Sequence, residues 1–164
     1  MLNSDENRNE IIKLLPRLKG DSKFKIIKKA CPDYNCFAWV AFYDNVFWTP
    51  LPHADRPTIH FDGVIKNWPF DVANDCKIST LIEIFRNLGY EECSDGSLEE
   101  NYRKIVIYGK NDEGTHAARQ LTTGRDKGAW TSKLGSSFLI LHDVKSIEGV
   151  EYGEIKQYMR KRIK

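Results

Sequence analysis

The spacing of apolar residues changes near residue 90, and this change constrains the fold more than any other feature of the chain. Before it, three segments show the spacing of amphipathic helices. Pro16 lies inside the first of them and should end it. Ser4 or Asp5 can cap the first helix. Asp33 or Asn35 can cap a second helix, which runs from Cys36 to about Tyr43. Ser79 can cap the third helix, and Gly89 ends it.

After the change, β-branched and alternating segments predict strands. These strands cover Arg103–Tyr108, Thr115–Leu121, Ala129–Lys133 and Phe138–Leu141. The last segment, from Tyr152, shows helical spacing, with a terminal strand as the alternative. Because helices come first and an antiparallel meander follows, we expect an α+β domain in which the helices pack on an antiparallel sheet.

The composition agrees with one domain, 1–164, made of a helical N-terminal segment at 1–30 and a core at 31–164. The chain has 164 residues, of which 41% are hydrophobic and 12% aromatic. That is enough for one buried core, and it excludes a disordered protein. The 25 basic and 23 acidic residues give a net charge of +2, which excludes a polycationic nucleic-acid binder.

No targeting or membrane segment is recognised in the chain. The first residues, MLNSDENRNE, lack the basic and apolar regions of a Sec-type signal. No apolar run approaches about 18 residues, so no membrane-spanning helix is expected. We therefore expect a cytoplasmic protein with free thiols and no membrane partner, with export by a dedicated secretion system as the alternative.

Cys36 stands where the second helix begins, in the string DYNCFAWVAF. The free N–H groups and the positive dipole at a helix start lower a thiol pKa, and the thiolate is the nucleophile. Asn35 can cap this helix and also donate an N–H to an oxyanion, and Tyr34 can donate its hydroxyl. The alternatives are that Cys36 is a small buried core residue and that Tyr34 only packs.

His116 lies in the string GTHAARQL, at the start of a predicted strand. A cysteine at a helix start that faces a histidine on a strand has the arrangement used for acyl transfer. The partners lie 116 − 36 = 80 residues apart in the chain, so they can meet only in the folded protein. The alternative is that His116 is an ordinary residue at the start of a strand.

The strings CFAWVAF, THAARQL and GAWTSKLG resemble the nucleophile helix, the histidine strand and the neighbouring tryptophan strand of papain-like and NlpC-type cysteine hydrolases. YNCFAW, THAARQL, WTSKLG and YGEI also resemble blocks of a bacterial family over about residues 31–160, which implies no particular activity. The first resemblance implies a papain-like fold, with Cys36 as nucleophile and His116 as its base. Two places depart from the papain pattern: Ala30 replaces a glutamine, and Ser132 and Lys133 stand where an orienting asparagine is expected.

The third member of the site is open. NlpC-type enzymes often use a second histidine, which favours His142, since an imidazole can accept a hydrogen bond. Ser132 is the alternative, because a neighbouring strand would bring it near His116. Trp130 and Gln120 are candidates for the substrate cleft, and the long excursion at 49–69 is a candidate for one of its walls. An ordinary packing role is the alternative for each.

The cysteines and histidines do not form a metal-binding pattern. No CX2C or HX3–5H pair occurs, so we expect no zinc site and no other cofactor. The residues considered are Cys31 and Cys36 with CX4C spacing, the isolated Cys76 and Cys93, and His53 and His60 in a loop.

Two classes of function fit these patterns. The first is a cysteine-dependent amide hydrolase or acyltransferase (a peptidase, amidase or deamidase), acting on peptide, protein or peptidoglycan amides as in a bacterial effector or a housekeeping enzyme. The second is a non-catalytic binding module on the same scaffold, whose basic segments at Lys19–Lys29 and Lys156–Lys164 engage an acidic partner. Nucleic acid is not favoured, because no aromatic-interleaved RNA motif is present, and the oligomeric state is left open.

Overall fold

The structure, a computed structural model, describes residues 1–51, the backbone of residues 58 and 59, and residues 63–163. No helix in these ranges is long and apolar enough to cross a lipid bilayer. The elements are α1 (Asp5–Leu14), a 3₁₀ helix (Pro16–Gly20), β1 (Lys25–Lys28), α2 (Cys36–Val40), β2 (Phe47–Trp48), β3 (Thr58–Ile59), β4 (Ile65–Asn67), α3 (Ile78–Asn87), β5 (Glu91–Cys93), β6 (Tyr102–Lys110), β7 (Glu113–Gln120), β8 (Trp130–Lys133), β9 (Leu139–His142) and β10 (Glu154–Arg162).

Seven strands form one large sheet in the order β1-β9-β8-β7-β6-β10-β5, and each neighbouring pair is antiparallel. The centre is the β6–β7 hairpin, in which Ile107 lies opposite Ala117 and Tyr108 lies opposite His116. A smaller sheet has the order β2-β4-β3, with β2 parallel to β4. The prediction of an α+β chain with an antiparallel sheet is therefore confirmed.

Both faces of the large sheet are buried, each against different helices. On β6, Ile105 and Ile107 pack in one core with α2 and α3, whereas Val106 and Tyr108 pack in a second core with α1 and the 3₁₀ helix. Successive side chains of a strand point to opposite faces, which explains this alternation. Since α2 packs against β7 and β8, its first residue lies beside the strand that bears His116.

The first 30 residues follow the predictions only in part. Ser4 caps α1 by accepting a hydrogen bond from the backbone N–H of Asn7, and Pro16 opens the 3₁₀ helix just after α1. The segment at 1–30 is helical only in its first part, because β1 at Lys25–Lys28 pairs with β9 at the edge of the large sheet. Ile26 buries its side chain there, and a strand of four residues is too short to show a clear period.

Two later predictions also need correction. Ser79 does not cap α3, which begins after Lys77; Asp75 accepts hydrogen bonds there from the Lys77 backbone N–H and the Thr80 hydroxyl. Gly89 ends this helix as predicted, with a φ of 95°. The C-terminal segment is a strand rather than a helix, since β10 pairs along the length of β6 and this pairing outweighs local spacing.

Candidate active site

Asn35 fixes the start of α2. Its side-chain oxygen accepts hydrogen bonds from the backbone N–H groups of Ala38 at 3.3 Å and Trp48 at 3.1 Å. Its side-chain nitrogen donates to the carbonyl oxygen of Trp48 at 2.6 Å. The amide therefore caps α2 and holds the β2 segment to it. Its nitrogen carries two hydrogens, of which one is donated to the Trp48 carbonyl oxygen, so donation by Asn35 to an oxyanion stays a prediction.

Cys36 and His116 line one cavity of about 530 Å³. Cys36 belongs to the core on the α2 face of the sheet, whereas His116 lies opposite Tyr108, whose side chain packs on the α1 face. β8 pairs with β7 only at Arg119 and Gln120. The earlier residues of β7 therefore have no pairing partner on β8. At this place the cavity is lined both by Cys36, from one face of the sheet, and by His116, from the other.

Most residues that line the cavity are apolar, and the charged ones are acidic. Glu10 and Glu151 contribute to its wall, and none of the described lysines or arginines does. Other residues around it are Ile11, Leu14, Phe37, Phe47, Thr115, Leu134, Gly135, Ser137, Phe138 and Tyr152. The electrostatic potential of this cavity is therefore expected to favour cations over anions, although the chain as a whole has a net charge of +2.

The ring of His116 is buried and stacks on an aromatic ring. The residue is 0% exposed, and its ring stacks on Tyr152 with the centroids 4.0 Å apart and the planes at 14°. Neither ring nitrogen has a hydrogen-bond partner in the part of the chain that the structure describes. Buried polar groups are rarely left without a partner, and a catalytic role is one of the explanations for such a group. Cys36 and His116 therefore line the same cavity, but the thiol and the ring are not hydrogen-bonded to each other.

The charge state of Cys36 differs from the prediction. Burial raises the pKa of its thiol to about 12, against the opposing effect of the Ala117 and Phe37 backbone N–H groups. The thiol is 6% exposed, and removal from water disfavours the thiolate more than a few N–H groups favour it. The N–H groups at the helix start lower this pKa as predicted, but burial outweighs them, so the pKa of the thiol is raised overall.

Burial also keeps His116 neutral. It lowers the pKa of the imidazole well below its usual 6.5, and the nearby His142 lowers it further. At neutral pH the cavity thus holds an uncharged thiol and an uncharged imidazole, rather than a thiolate–imidazolium pair.

His142 and Ser132 bind each other. The Nδ1 atom of His142 lies 2.7 Å from the carbonyl oxygen of Asp143. A carbonyl only accepts, so Nδ1 carries the proton, and the Ser132 hydroxyl donates to Nε2 at 2.7 Å. Burial lowers the pKa of His142 to about 4. Both side chains are near His116, but the structure does not bring either into hydrogen-bond contact with its ring.

The remaining predicted site residues lie elsewhere. Tyr34 is buried, with its ring 4.5 Å from the Lys133 ammonium, and it does not line the cavity of Cys36. Gln120 donates to the carbonyl oxygen of Gly96 at 2.7 Å, and Trp130 packs on Tyr158. Gln120 and Trp130 form a register pair at the far end of β7, roughly 13 Å along the strand from His116. The prediction that they line the cleft is therefore wrong.

Sequence reasoning missed two residues that shape the site. Tyr152 supplies the ring under His116, and its turn sequence contains no signal for this role. Lys133 donates its ammonium hydrogens to the carbonyl oxygens of Cys31 at 2.5 Å, Tyr34 at 3.0 Å and Gly135 at 2.6 Å. It thereby ties the loop before Cys36 to the end of β8. A charged residue within a buried strand pattern was the available signal.

The other cysteines are free thiols. Across 1–51 and 63–163, no group of three His, Cys, Asp or Glu side chains is arranged to hold a metal ion. His53 and His60 lie outside the described residues, as does most of the proposed cleft wall at 49–69.

Comparison with known families adds one finding. A family model described as "Domain of unknown function (DUF7689)" matches residues 25–160, which is most of the chain and includes Cys36, His116 and His142. No curated protein sequence and no solved structure matches the chain. The papain-like relationship stays a prediction, as does its functional meaning.

Proposed function

The chain thus belongs to the DUF7689 family, and we propose that this member is a cysteine-dependent amide hydrolase or acyltransferase with Cys36 as nucleophile and His116 as base. One observation carries the proposal. Cys36 and His116 line the same cavity, where His116 presents two buried ring nitrogens that have no hydrogen-bond partner among the described residues. The strings that resemble papain-like hydrolases support the same roles.

The neutral resting pair defines the mechanism. The Cys36 sulfur attacks the amide carbonyl carbon while its proton passes to a ring nitrogen of His116, so no free thiolate accumulates. The imidazolium then gives that proton to the amide nitrogen as the C–N bond breaks, and the acyl group remains on sulfur as a thioester. Water, or an amine in a transfer reaction, attacks the thioester, and the Cys36 thiol is regenerated.

Backbone groups are the available donors to developing negative charge. The N–H groups of Ala117 and Phe37 point to the Cys36 sulfur. These N–H groups would act beside the side-chain donor predicted at Asn35. Donors already in place near the reacting atoms stabilise charge without a reorganisation cost.

The alkylation of Cys36 by iodoacetamide as a function of pH tests the proposal. If His116 takes the thiol proton, the rate should change little between about pH 7 and 9, because the base is already neutral there. Cys93 is partly exposed and serves as an internal control, with a rate that rises about tenfold per pH unit below its pKa. Peptide mapping by mass spectrometry resolves the two sites.

A matched variant separates base assistance from simple exposure. His116→Phe keeps a planar ring against Tyr152 but removes both ring nitrogens. We expect it to slow Cys36 alkylation at neutral pH by about 100-fold or more and to give Cys36 the steep pH profile of Cys93. A steep profile already present in the unsubstituted protein, or an unchanged rate in His116→Phe, would overturn the proposal.

A non-catalytic binding module is the second candidate. The observation in its favour is that Cys36 is 6% exposed and has no hydrogen bond to His116. On this interpretation Cys36 fills the core and the cavity only binds a ligand. The alkylation profiles distinguish the two functions, since core packing gives Cys36 no base assistance.

The acidic wall of the cavity indicates the charge of its ligand. Methanethiosulfonate reagents that differ only in a trimethylammonium or a sulfonate group report this preference at Cys36. In a Cys31→Ser, Cys76→Ser and Cys93→Ser background, we expect the ratio of the cationic to the anionic rate to exceed the same ratio for a small free thiol by at least about threefold, and Glu151→Gln to reduce it. Equal ratios for Cys36 and the free thiol would mean that the cavity does not select by charge.

A further inference from the structure

A cluster of cations and aromatic rings lies beyond the C-terminal end of α2, away from the cavity of Cys36. The guanidinium of Arg119 lies 3.5 Å from the Trp39 ring centroid and 3.9 Å from that of Phe42. Arg103 approaches the same Phe42 ring at 4.5 Å. We call this cluster the arginine surface and define it by Lys28, Trp39, Phe42, Tyr90, Arg103, Arg119 and Lys161.

Three of these cations share one face of the large sheet. Arg119 on β7 lies opposite Ile105 of β6, and Arg103 lies two residues before Ile105. Arg103 lies opposite Lys161 of β10. Side chains two residues apart on a strand, or opposite each other in register, point the same way. Arg103 and Lys161 are therefore direct neighbours, and Arg119 lies diagonally from Arg103, on three adjacent strands whose axes are about 4.8 Å apart.

Two basic segments of the sequence meet at this surface. Lys28 comes from the segment at 19–29, and its ammonium lies 5.5 Å from the Trp39 ring. Lys161 comes from the segment at 156–164, and its ammonium lies 5.9 Å from the Tyr90 ring. The folded chain thus joins positive charges that are remote in sequence.

Three cations of the arginine surface have no carboxylate partner among the described residues. Arg103, Arg119 and Lys161 form no ion pair with a described aspartate or glutamate. Burial lowers the pKa of Arg119 to about 10, and the nearby Arg103 contributes to the lowering. Positive charges held together without a counter-charge repel one another and destabilise the folded protein. An anionic ligand bound between them would relieve this repulsion.

Phe42 is held in an unfavourable conformation at the centre of the surface. Its side chain is 53% exposed and its φ is 70°, in the left-handed region that bulky residues rarely adopt. Such strain is concentrated at functional positions in folded proteins. Here it places an aromatic ring against two guanidinium groups.

The geometry favours carboxylates over nucleobases as ligands. Trp39 and Phe42 already carry guanidinium groups against their rings, so these rings are not free platforms for base stacking. A guanidinium that lies on a ring directs its N–H groups outward in its own plane, where a carboxylate can bind two of them. One N–H of Arg119 is donated to the Trp39 carbonyl oxygen at 2.8 Å, and a guanidinium carries five N–H groups.

We propose that the arginine surface binds an acidic segment of a partner protein through aspartate or glutamate carboxylates on Arg103 and Arg119, with Lys161 and Lys28 extending the contact. This binding goes beyond the proposed hydrolase and does not depend on it, because none of the residues that define the surface lines the cavity of Cys36. The partner is recognised by charge and by the planar fork of arginine.

Fluorescence anisotropy with a labelled peptide of alternating glutamate and serine tests the proposal. Arg103→Glu is the test variant, because Arg119 also supports the end of α2. Lys110→Glu is the matched control: it makes the same charge change at the opposite, exposed end of the same strand. We expect Arg103→Glu to weaken peptide binding at least about fivefold and Lys110→Glu by no more than about twofold.

Three outcomes would overturn the proposal. They are equal losses in the two variants, no peptide binding at low salt, and tighter binding of labelled oligothymidylate than of the peptide. Circular dichroism confirms that each variant is folded, and Lys161→Glu serves as the second test variant if Arg103→Glu is not. Because Cys36→Ser should leave peptide binding unchanged, failure of this proposal is separable from failure of the hydrolase proposal.

Discussion

The free energy of unfolding should fall as the pH is lowered from about 7 to 5, because two buried histidines stay neutral in the folded chain. Burial lowers the pKa of His142 to about 4, compared with about 6.5 in an unfolded chain. Between these values the unfolded state binds more protons, so stability is complete above about pH 6.5 and is lost as the pH falls towards 4. For His142 alone, this linkage amounts to about 2 kcal/mol between pH 7 and 5. His116 adds to it, since its pKa is lowered in the same direction.

Urea unfolding followed by tryptophan fluorescence at about pH 7, 6 and 5 measures this loss. This window lies above the ordinary range of carboxyl groups, and a background with His53→Gln and His60→Gln leaves two histidines to titrate. His142→Asn should be less stable at pH 7, because it loses the hydrogen bond from Ser132. Its further loss on going to pH 5 should be smaller than that of the background protein by about 2 kcal/mol.

Equal pH dependence in the background protein and in His142→Asn would refute the reasoning, since His142 would then titrate alike in both states. A flat stability between pH 7 and 5 in the background protein would be more serious. It would show that neither imidazole is held neutral by burial, and the proposed reaction needs His116 in that state to accept the thiol proton.

Three further predictions concern the supports of the site, each checked by urea unfolding. Asn35→Ala should lower the free energy of unfolding by about 2 kcal/mol or more, because it removes a cap and leaves buried backbone groups at β2 without partners. Ser4→Ala, at the part-buried start of α1, should lower it by about 1 kcal/mol. Lys133→Met should cost about 3 kcal/mol, because three backbone carbonyls lose their donor. Gly153→Ala should be far more destabilising than Gly124→Ala: both glycines have positive φ, but only at Gly153 would a Cβ collide with a backbone carbonyl of β6.

The parts of the fold that could be predicted depend on local chemistry. Ser4 and Gly89 mark helix ends because capping and positive φ are decided within a few residues. The β6–β7 hairpin was predicted because its strands are long and rich in β-branched or alternating residues. The β10 strand was only an alternative, because its conformation is imposed by pairing with β6 rather than by its own spacing.

In the candidate site, too, some residues could be predicted from local sequence and others could not. Cys36 and His116 were identified from local strings, and the structure places both on one cavity. The cleft roles of Gln120 and Trp130 were wrong, because residues near His116 in sequence are carried along β7 to its far end. Tyr152 reaches His116 only through the fold, across a turn that is remote in sequence, so no string could indicate it.

The charge state of Cys36 is the point at which local reasoning and the folded chain disagree most, and the disagreement constrains the chemistry. A helix start lowers a thiol pKa when the dipole is strong and water can approach, but α2 has only five residues, and its first residue packs in the core. Desolvation then outweighs the dipole and raises the pKa of the thiol. In the proposed reaction the thiol proton therefore leaves as the new bond forms. The neutral imidazole of His116 is the proposed acceptor, so the proposal depends more on the unpartnered His116 than on the cysteine itself.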